Sequence, residues 1–121
     1  MRRETGGMDF HLNPEFLQGT ELFRDVPAAA LHEIQTASSQ RRVAAGQVVF
    51  RQGDPAAALY VVATGRLRAT QTTADGQQVI IRYLGPGEVA GYTTLSGGGA
   101  LPGTVVAVED ALLISWAGAA I

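Results

Sequence analysis

Side chains that could carry out catalysis are few in this chain and are not grouped. His11 and His32 are the only histidines, and there is no cysteine, which excludes disulfides, thiolate catalysis and zinc–thiolate sites. No serine has a histidine placed to act as its base; the serines are Ser38, Ser39, Ser96 and Ser115. We therefore expect no catalytic group, no metal site and no enzyme activity.

Four of the acidic residues occur where turns are expected. Asp54 and Asp75 each adjoin a glycine, and aspartate suits turns because its carboxylate accepts hydrogen bonds from nearby backbone N–H groups. Glu109–Asp110 is interpreted as a turn between two strands. The glycine triplet at residues 97–99 lacks the following lysine of a phosphate-binding loop.

The stretch GEVAGYTTLSGGGALPGTVVAVED, residues 87–110, is suited to enclosing a small ligand but contains no Arg or Lys. No basic residue follows Arg82 in the whole chain. The net charge of the whole chain is −2, from nine Arg, no Lys and eleven acidic residues, so the chain is not expected to bind DNA by itself.

Length and composition favour one packed domain. The 121 residues are 46% apolar and 17% charged, and no apolar run is long enough to span a bilayer. The first residues include two arginines but no apolar core behind them, so they do not form a secretory signal. We expect a cytoplasmic protein that does not contact a membrane.

Two short helices are predicted after a loose leader at residues 1–12. Asn13 can cap the first helix and Pro14 suits its first position, although Gly19 weakens it. Its apolar face would comprise Phe16, Leu17, Leu22 and Phe23. Pro27 opens the second helix, which Ser38 and Ser39 close. The apolar face of that helix would comprise Ala30, Leu31, Ile34 and Ala37.

From Arg41 onward, β-rich runs separated by turn glycines predict about eight short strands in an antiparallel sandwich or barrel. These glycines are Gly46, Gly53, Gly65, Gly76, Gly85 and Gly91. The Asp75–Gly76 pair predicts a tight hairpin, because such a turn needs a positive φ.

Two of the predicted strands carry more specific expectations. In RLRAT, Arg66, Arg68 and Thr70 alternate with Leu67 and Ala69, which predicts one solvent-facing and one buried side. The run VIIRYL, residues 79–84, is apolar on both faces, which favours a central strand.

The sequence ends with LLISWAGAAI, which places Trp116 and Ile121 near the terminus. Because domains rarely end on an exposed apolar segment, we expect either a piece of a longer protein or an element that packs on a partner.

A series of ordered markers between Phe23 and Trp116 resembles the cyclic nucleotide-binding domain, in the form carried by bacterial CRP/FNR-type transcription regulators. The markers are Gly46, GD at Gly53–Asp54, YVV..G at Tyr60–Gly65, DG at Asp75–Gly76 and RYLGPGEVAG at Arg82–Gly91. The resemblance implies a mainly β domain over residues 13–121, an antiparallel β-roll of the jelly-roll or double-stranded β-helix type with short flanking helices.

The family's phosphate-binding cassette is altered in this chain. Members that bind cyclic nucleotides open it with a Gly–Glu pair, whose Glu holds the ribose hydroxyl, and later place an Arg on the cyclic phosphate. Here Gly91 is present, Tyr92 stands at the Glu position and Pro102 stands at the Arg position. Because an anion buried without a cation costs several kcal/mol, we expect no binding of cyclic AMP or cyclic GMP.

The expected pocket wall is mostly neutral. It comprises Gly91, Tyr92, Thr93, Thr94, Leu95, Pro102, Gly103, Thr104 and Val105. Such a wall suits an apolar or aromatic molecule fixed by a few hydrogen bonds. If the ring of Tyr92 fills the pocket, the domain senses nothing.

Two other sources of positive potential exist for this pocket. The segment YTTLS could form a short helix whose free N–H groups face an anion. Arg82, Arg66 or Arg68 could also reach the pocket from a neighbouring strand. Of these three, Arg82 is included among the candidate site residues. For each arginine, a solvent-exposed strand face is the expected location.

The resemblance implies an effector-sensing regulatory domain with an unidentified small-molecule effector. In the family, a long helix after the last strand forms a homodimer and a helix-turn-helix domain reads DNA, so we expect both in a longer parent protein. The alternatives are a regulatory module of a signalling enzyme or channel and a ligand-free structural roll. Some relatives bind haem, but His11 lies in the leader and His32 on the solvent side of a helix, so we expect no cofactor.

Overall fold

The computed structural model describes residues 12–91 and 99–118 of the chain. Over these residues two helices precede eight strands, as predicted. The helices are α1 (Pro14–Gln18) and α2 (Ala28–Thr36). The strands are β1 (Ser39–Val43), β2 (Val48–Phe50), β3 (Ala58–Thr64), β4 (Leu67–Thr72), β5 (Gln78–Leu84), β6 (Val89–Ala90), β7 (Thr104–Ala107) and β8 (Ala111–Ala117). Apart from Leu12, the expected leader lies outside the described residues, as does Ile121.

Local sequence determines where each helix begins and ends. The backbone N–H of Phe16 donates to the side-chain oxygen of Asn13 at 2.8 Å, which confirms the predicted cap of α1. The helix ends at Gln18, earlier than predicted, so Leu22 and Phe23 lie in the following turns. Both still pack, partly buried, on the core that α1 covers.

The second helix also differs slightly from the prediction at each end. Pro27 precedes α2 as its N-cap residue instead of forming its first turn. The hydroxyl of Ser38 donates to the carbonyl of Gln35 at 2.6 Å and so follows the helix end as expected. Ser39 does not close the helix but begins β1. His32 is exposed on α2, as predicted.

The strands form two four-stranded sheets, both antiparallel. The first sheet has the order β1-β8-β3-β6 and the second has the order β2-β7-β4-β5. Strands adjacent in sequence are often not adjacent in a sheet, so the chain crosses repeatedly between the two. This arrangement agrees with the predicted antiparallel β-roll.

The predicted hairpin joins β4 to β5. The N–H of Gly76 donates to the carbonyl of Thr73 at 2.9 Å, and Gly76 has φ 86°. The expectation that VIIRYL forms a central strand is wrong, because β5 lies at the edge of its sheet. Its large apolar side chains are exposed: Val79, Ile80, Ile81 and Tyr83.

The alternation predicted for RLRAT also fails at one position. Arg66 is exposed and Leu67 is buried, but Thr70 is only 4% exposed. The strand of Thr70 has a neighbour on each side, and Thr70 pairs with Ile80 of β5 and with Thr104 of β7. The register shifts between Ala69 and Thr70, where β5 carries an extra residue, and such a bulge disturbs strict alternation.

Two clusters of apolar side chains stabilise the molecule. The first lies between the sheets and includes Val62, Leu67, Leu84, Val105 and Leu113. The second lies between the first sheet and the helical segment; its members include Leu17, Leu31, Leu59, Val61, Ile114 and Trp116. The helices therefore cover the outer face of the first sheet.

The burial of Trp116 contradicts the expectation of an exposed apolar end. Its side chain is 4% exposed and its ring centroid lies 5.3 Å from that of Phe23. Its indole N–H donates to the carbonyl of Ile34 at 2.8 Å. The element that covers Trp116 is thus the helical segment of this same chain. Within the ranges 12–91 and 99–118, no helix has the length and apolar character needed to cross a bilayer.

Candidate functional site

A cavity of about 290 Å³ opens between the two sheets beside the β4–β5 hairpin. Its wall is formed largely by apolar side chains from both sheets and from the segment before β7. The main ones are Phe50, Ala69, Leu84, Val89, Leu101 and Val105. A volume of this size suits a small organic molecule, and an apolar wall favours an apolar one.

The structure brings five of the predicted site residues to this cavity: Arg82, Gly91, Pro102, Gly103 and Val105. Thr104 does not line it, and its hydroxyl accepts a hydrogen bond from the backbone N–H of Gln52 at 2.9 Å. Tyr92, Thr93, Thr94 and Leu95 lie outside the described residues.

Several lining residues were not found from the sequence, including Phe50, Ala69, Leu84 and Val89. Phe50 and Ala69 come from β2 and β4, which are distant in sequence from the cassette segment, whereas Leu84 and Val89 shortly precede it. The signal that could have found Leu84 and Val89 is their position on either side of the turn in RYLGPGEVAG. Phe50 and Ala69 carry no such signal, since only the pairing of β7 with β2 and β4 brings them close.

Gly91 has a structural reason for its residue type. Its φ is 88°, and a Cβ at this position would lie 2.7 Å from the carbonyl oxygen of Ala58. A Cβ at Gly103 would likewise lie 2.6 Å from the carbonyl oxygen of Thr70. Both glycines let the cavity wall approach a neighbouring strand closely, which does not itself require a ligand.

Arg82 is the charged side chain among the described residues of the lining. It forms an ion pair with Glu88, and the two side chains are 54% and 43% exposed. The other carboxylate oxygen of Glu88 accepts the backbone N–H of Gly85 at 2.8 Å. The guanidinium therefore lies where the cavity opens to solvent. Arg82 is solvent-exposed, as predicted, but it also lines the cavity.

The other two arginines of the hairpin lie away from the cavity. The guanidinium of Arg66 is 4.5 Å from the centre of the Tyr83 ring, a distance at which cation–π attraction operates. Arg68 pairs across the sheet with Tyr83 and Val106, on the face opposite Ala69. Neither lines the cavity.

A second groove, of about 420 Å³, lies beside the end of β1. Two of its polar side chains bind backbone groups: Asp110 accepts the N–H of Ala45 at 2.9 Å, and Gln47 accepts the N–H of Ala44 at 3.0 Å. These contacts hold the β1–β2 and β7–β8 turns together. Gln47 and Asp110 therefore have a structural role in this groove.

The remaining candidate residues also have structural partners. Asp54 accepts the backbone N–H of Arg51 at 3.0 Å, as expected in a turn. The hydroxyl of Thr73 donates to the carboxylate of Asp75 and so holds the pKa of this exposed acid below its ordinary value. In the part of the chain that the structure describes, no cluster of three His, Cys or acidic residues is arranged to hold a metal. The arrangement can bind a small molecule, and its described residues hold no paired nucleophile and base.

Comparison with known proteins places this architecture in context. Residues 40–121 match the family model of the cyclic nucleotide-binding domain. The chain is 38% identical over 102 residues to the cyclic AMP receptor protein of Thermus thermophilus, covering 82% of this chain and 46% of that protein. It is 31% identical over 102 residues to the acetyltransferase Pat of Mycolicibacterium smegmatis, covering 84% of this chain and 30% of that protein.

A solved structure gives the same result for the fold. The N-terminal domain of a transcriptional regulator from Streptomyces coelicolor A3(2) superposes with a TM-score of 0.80 at 26% identity, covering 88% of this chain and 76% of that one. The chain spans less than half the length of the two curated relatives that it matches.

Proposed function

Because the chain belongs to the cyclic nucleotide-binding domain family, we propose that it is the effector-sensing domain of a CRP/FNR-type transcription regulator whose effector is neither cyclic AMP nor cyclic GMP. The single observation that carries this proposal is the cavity of about 290 Å³ with a predominantly apolar wall. A cavity of this kind favours a small apolar or aromatic molecule.

The case against a cyclic nucleotide rests on the polar groups that such a ligand brings. A sugar-phosphate carries an anion and several hydrogen-bonding oxygens, and each costs free energy when it is buried without a partner. Tyr92 and Pro102 stand where the family places the ribose-binding Glu and the phosphate-binding Arg. The cation that does line the cavity, Arg82, is half exposed at its open side, so it does not supply the buried cation that the family places at the position of Pro102.

The likeness to the Streptomyces coelicolor regulator domain and to the Thermus thermophilus receptor favours transcription control. In this proposal, dimerisation and DNA binding belong to the parent protein, which works in the cytoplasm. The effector changes how the β-roll packs on the adjoining element and so shifts the balance between two arrangements of the dimer.

A second candidate is a regulatory module attached to an enzyme. The 31% identity to the acetyltransferase Pat favours it, since this chain covers only 30% of that protein. In both cases the described residues act by binding and the neighbouring domain performs the output. Sequencing the gene beyond the codon for Ile121 separates the two: a helix-turn-helix pattern favours the regulator and a catalytic domain favours the enzyme.

The binding proposal is tested by filling the cavity. Ala69 lies on the cavity wall, so Ala69→Leu adds three carbons to the space that the effector would occupy. We expect apolar and aromatic compounds from a metabolite panel to raise the melting temperature of the wild-type chain, because a ligand that binds only the folded state stabilises it. The Ala69→Leu variant is expected to lose this shift.

Ala74→Leu provides the matched control, because Ala74 is exposed in the β4–β5 turn. This variant should respond to the compounds as the wild type does. The proposal fails if no apolar compound shifts the wild type. It also fails if the response of Ala69→Leu equals that of Ala74→Leu.

A further inference from the structure

The charge distribution around the cavity points to a more specific class of effector. Most of the wall is apolar, and the charged side chain in its described lining is Arg82, at the open side. We propose that the effector is an apolar organic carboxylate: its apolar body fills the cavity and its carboxylate pairs with Arg82, replacing Glu88. This inference rests on the proposed function and extends it.

The register of the second sheet directs Arg82 toward the cavity. Arg82 lies opposite Ala69, and Ala69 lies opposite Val105. All three line the cavity, as side chains at directly paired positions share one face of a sheet. Ile81, the extra residue of the bulge, lines the cavity as well, so the bulge places two consecutive side chains of β5 at its opening.

The ion pair between Glu88 and Arg82 has a geometry that lets a ligand carboxylate replace Glu88. The carboxylate of Glu88 contributes one oxygen to the ion pair and the other to the backbone N–H of Gly85, at 2.8 Å. Both charged side chains are about half exposed, and exposed ion pairs contribute little net stability. If a ligand carboxylate takes the guanidinium, Glu88 keeps its bond to Gly85 and water solvates the oxygen that is released.

Replacement of Glu88 by a ligand carboxylate would also change a contact between β5 and the first sheet. The backbone carbonyl of Glu88 accepts the N–H of Val62 at 3.0 Å, and the N–H of Gly87 donates to the carbonyl of Val62 at 2.8 Å. Val62 belongs to β3, at the centre of that sheet. The Arg82–Glu88 pair therefore links edge strand β5 to the first sheet, and the ligand would release this link.

The test uses pairs of compounds that differ only in charge: benzoate and benzamide, cinnamate and cinnamamide, 2-naphthoate and 2-naphthamide. Dissociation constants are measured by calorimetry at low ionic strength on the full 121-residue chain. We expect the carboxylate of the best-fitting pair to bind about threefold to fivefold more tightly than its amide, consistent with a partly exposed ion pair. Raising the salt concentration should reduce this preference.

Three variants identify the residue responsible. Arg82→Gln should abolish the preference for the carboxylate, measured as the ratio of the dissociation constants of amide and carboxylate. Glu88→Gln should increase it, because the competing charge is removed while the amide oxygen can still accept the Gly85 N–H. Arg66→Gln is the matched control for charge, since Arg66 contacts Tyr83 outside the cavity, and should leave the preference intact.

The inference is overturned if carboxylate and amide bind equally to the wild type, or if Arg82→Gln retains the preference; in either case the proposed apolar effector site stands. If neither member of any pair binds, both the inference and the apolar site proposed above are rejected. Arg66→Gln and Arg82→Gln change the net charge by the same amount, so a preference that is lost only in Arg82→Gln distinguishes pairing with Arg82 from a general effect of net charge.

Discussion

Two glycines with nearly the same backbone conformation differ in what surrounds them. Gly65 has φ 87°, and a Cβ there would lie 2.4 Å from the carbonyl oxygen of Asp110. Gly76 has φ 86°, but no atom lies within 4 Å of the corresponding Cβ position. The pair therefore separates the cost of a left-handed backbone from the cost of a steric clash.

We expect Gly76→Ala to lower the free energy of unfolding by about 1 kcal/mol, which is the cost of a left-handed alanine. Gly65→Ala should lower it by about 3 kcal/mol or more, because the backbones around Asp110 and Ala111 must also move apart. Urea denaturation of both variants measures the difference. Equal losses would show that the close approach at Gly65 carries no energetic weight.

The arginines of the β4–β5 hairpin show what residue type alone leaves open. From the sequence, Arg66, Arg68 and Arg82 were each expected on a solvent-exposed face, and only Arg82 was included among the candidate site residues. In the structure Arg82 lines the cavity, while Arg66 and Arg68 lie beside Tyr83. The face on which each side chain lies depends on the pairing of β4 with β5 and on the bulge at Ile81, and neither is encoded by a short local pattern.

At the scale of elements, strand β5 shows the largest departure from the sequence-based prediction. Its apolar residues on both faces favoured a central position, but it forms the edge of its sheet and all its residues except Leu84 are exposed. Composition reports how apolar a strand is and not which strands pair with it. Part of the apolar character instead serves the opening of the cavity, which Ile81 lines.

This position leads to a prediction about two apolar residues of the same strand. Leu84 is 3% exposed and belongs to the core between the sheets, whereas Ile80 is 53% exposed. We expect Leu84→Ala to lower the free energy of unfolding by about 2–3 kcal/mol and Ile80→Ala to lower it by less than about 1 kcal/mol. Thermal and urea unfolding measure both. A loss at Ile80 as large as that at Leu84 would mean that the edge of the sheet is covered in solution.

At the scale of the whole molecule, the order of elements was predictable because local signals define it. Asn13 caps α1, the Asp75–Gly76 turn joins β4 to β5, and β-rich runs between glycines give eight strands over the described residues. The cavity was only partly predictable. Residues of the cassette segment were found by resemblance, but Phe50 and Ala69 reach the wall through pairings between distant strands.

The burial of Trp116 belongs to the same scale. Its apolar character near the end of the sequence suggested a piece of a longer protein or a partner that covers it, yet Phe23 and α2 of the same chain cover it. The cluster between the first sheet and the helical segment thus depends on elements from opposite ends of the chain, since the helical segment packs on β8. Long-range packing of this kind is not visible in a local sequence window.

The central claim is that this member of the family kept a cavity between its sheets but not the groups that hold a cyclic sugar-phosphate. Calorimetric titration of the full chain with cyclic AMP tests it most directly. We predict no saturable binding up to about 1 mM, because the free-energy cost of burying the phosphate and ribose against an apolar wall offsets the favourable burial of the purine ring. Binding of cyclic AMP with a dissociation constant in the micromolar range would contradict the account if Ala69→Leu abolishes this binding and Ala74→Leu retains it.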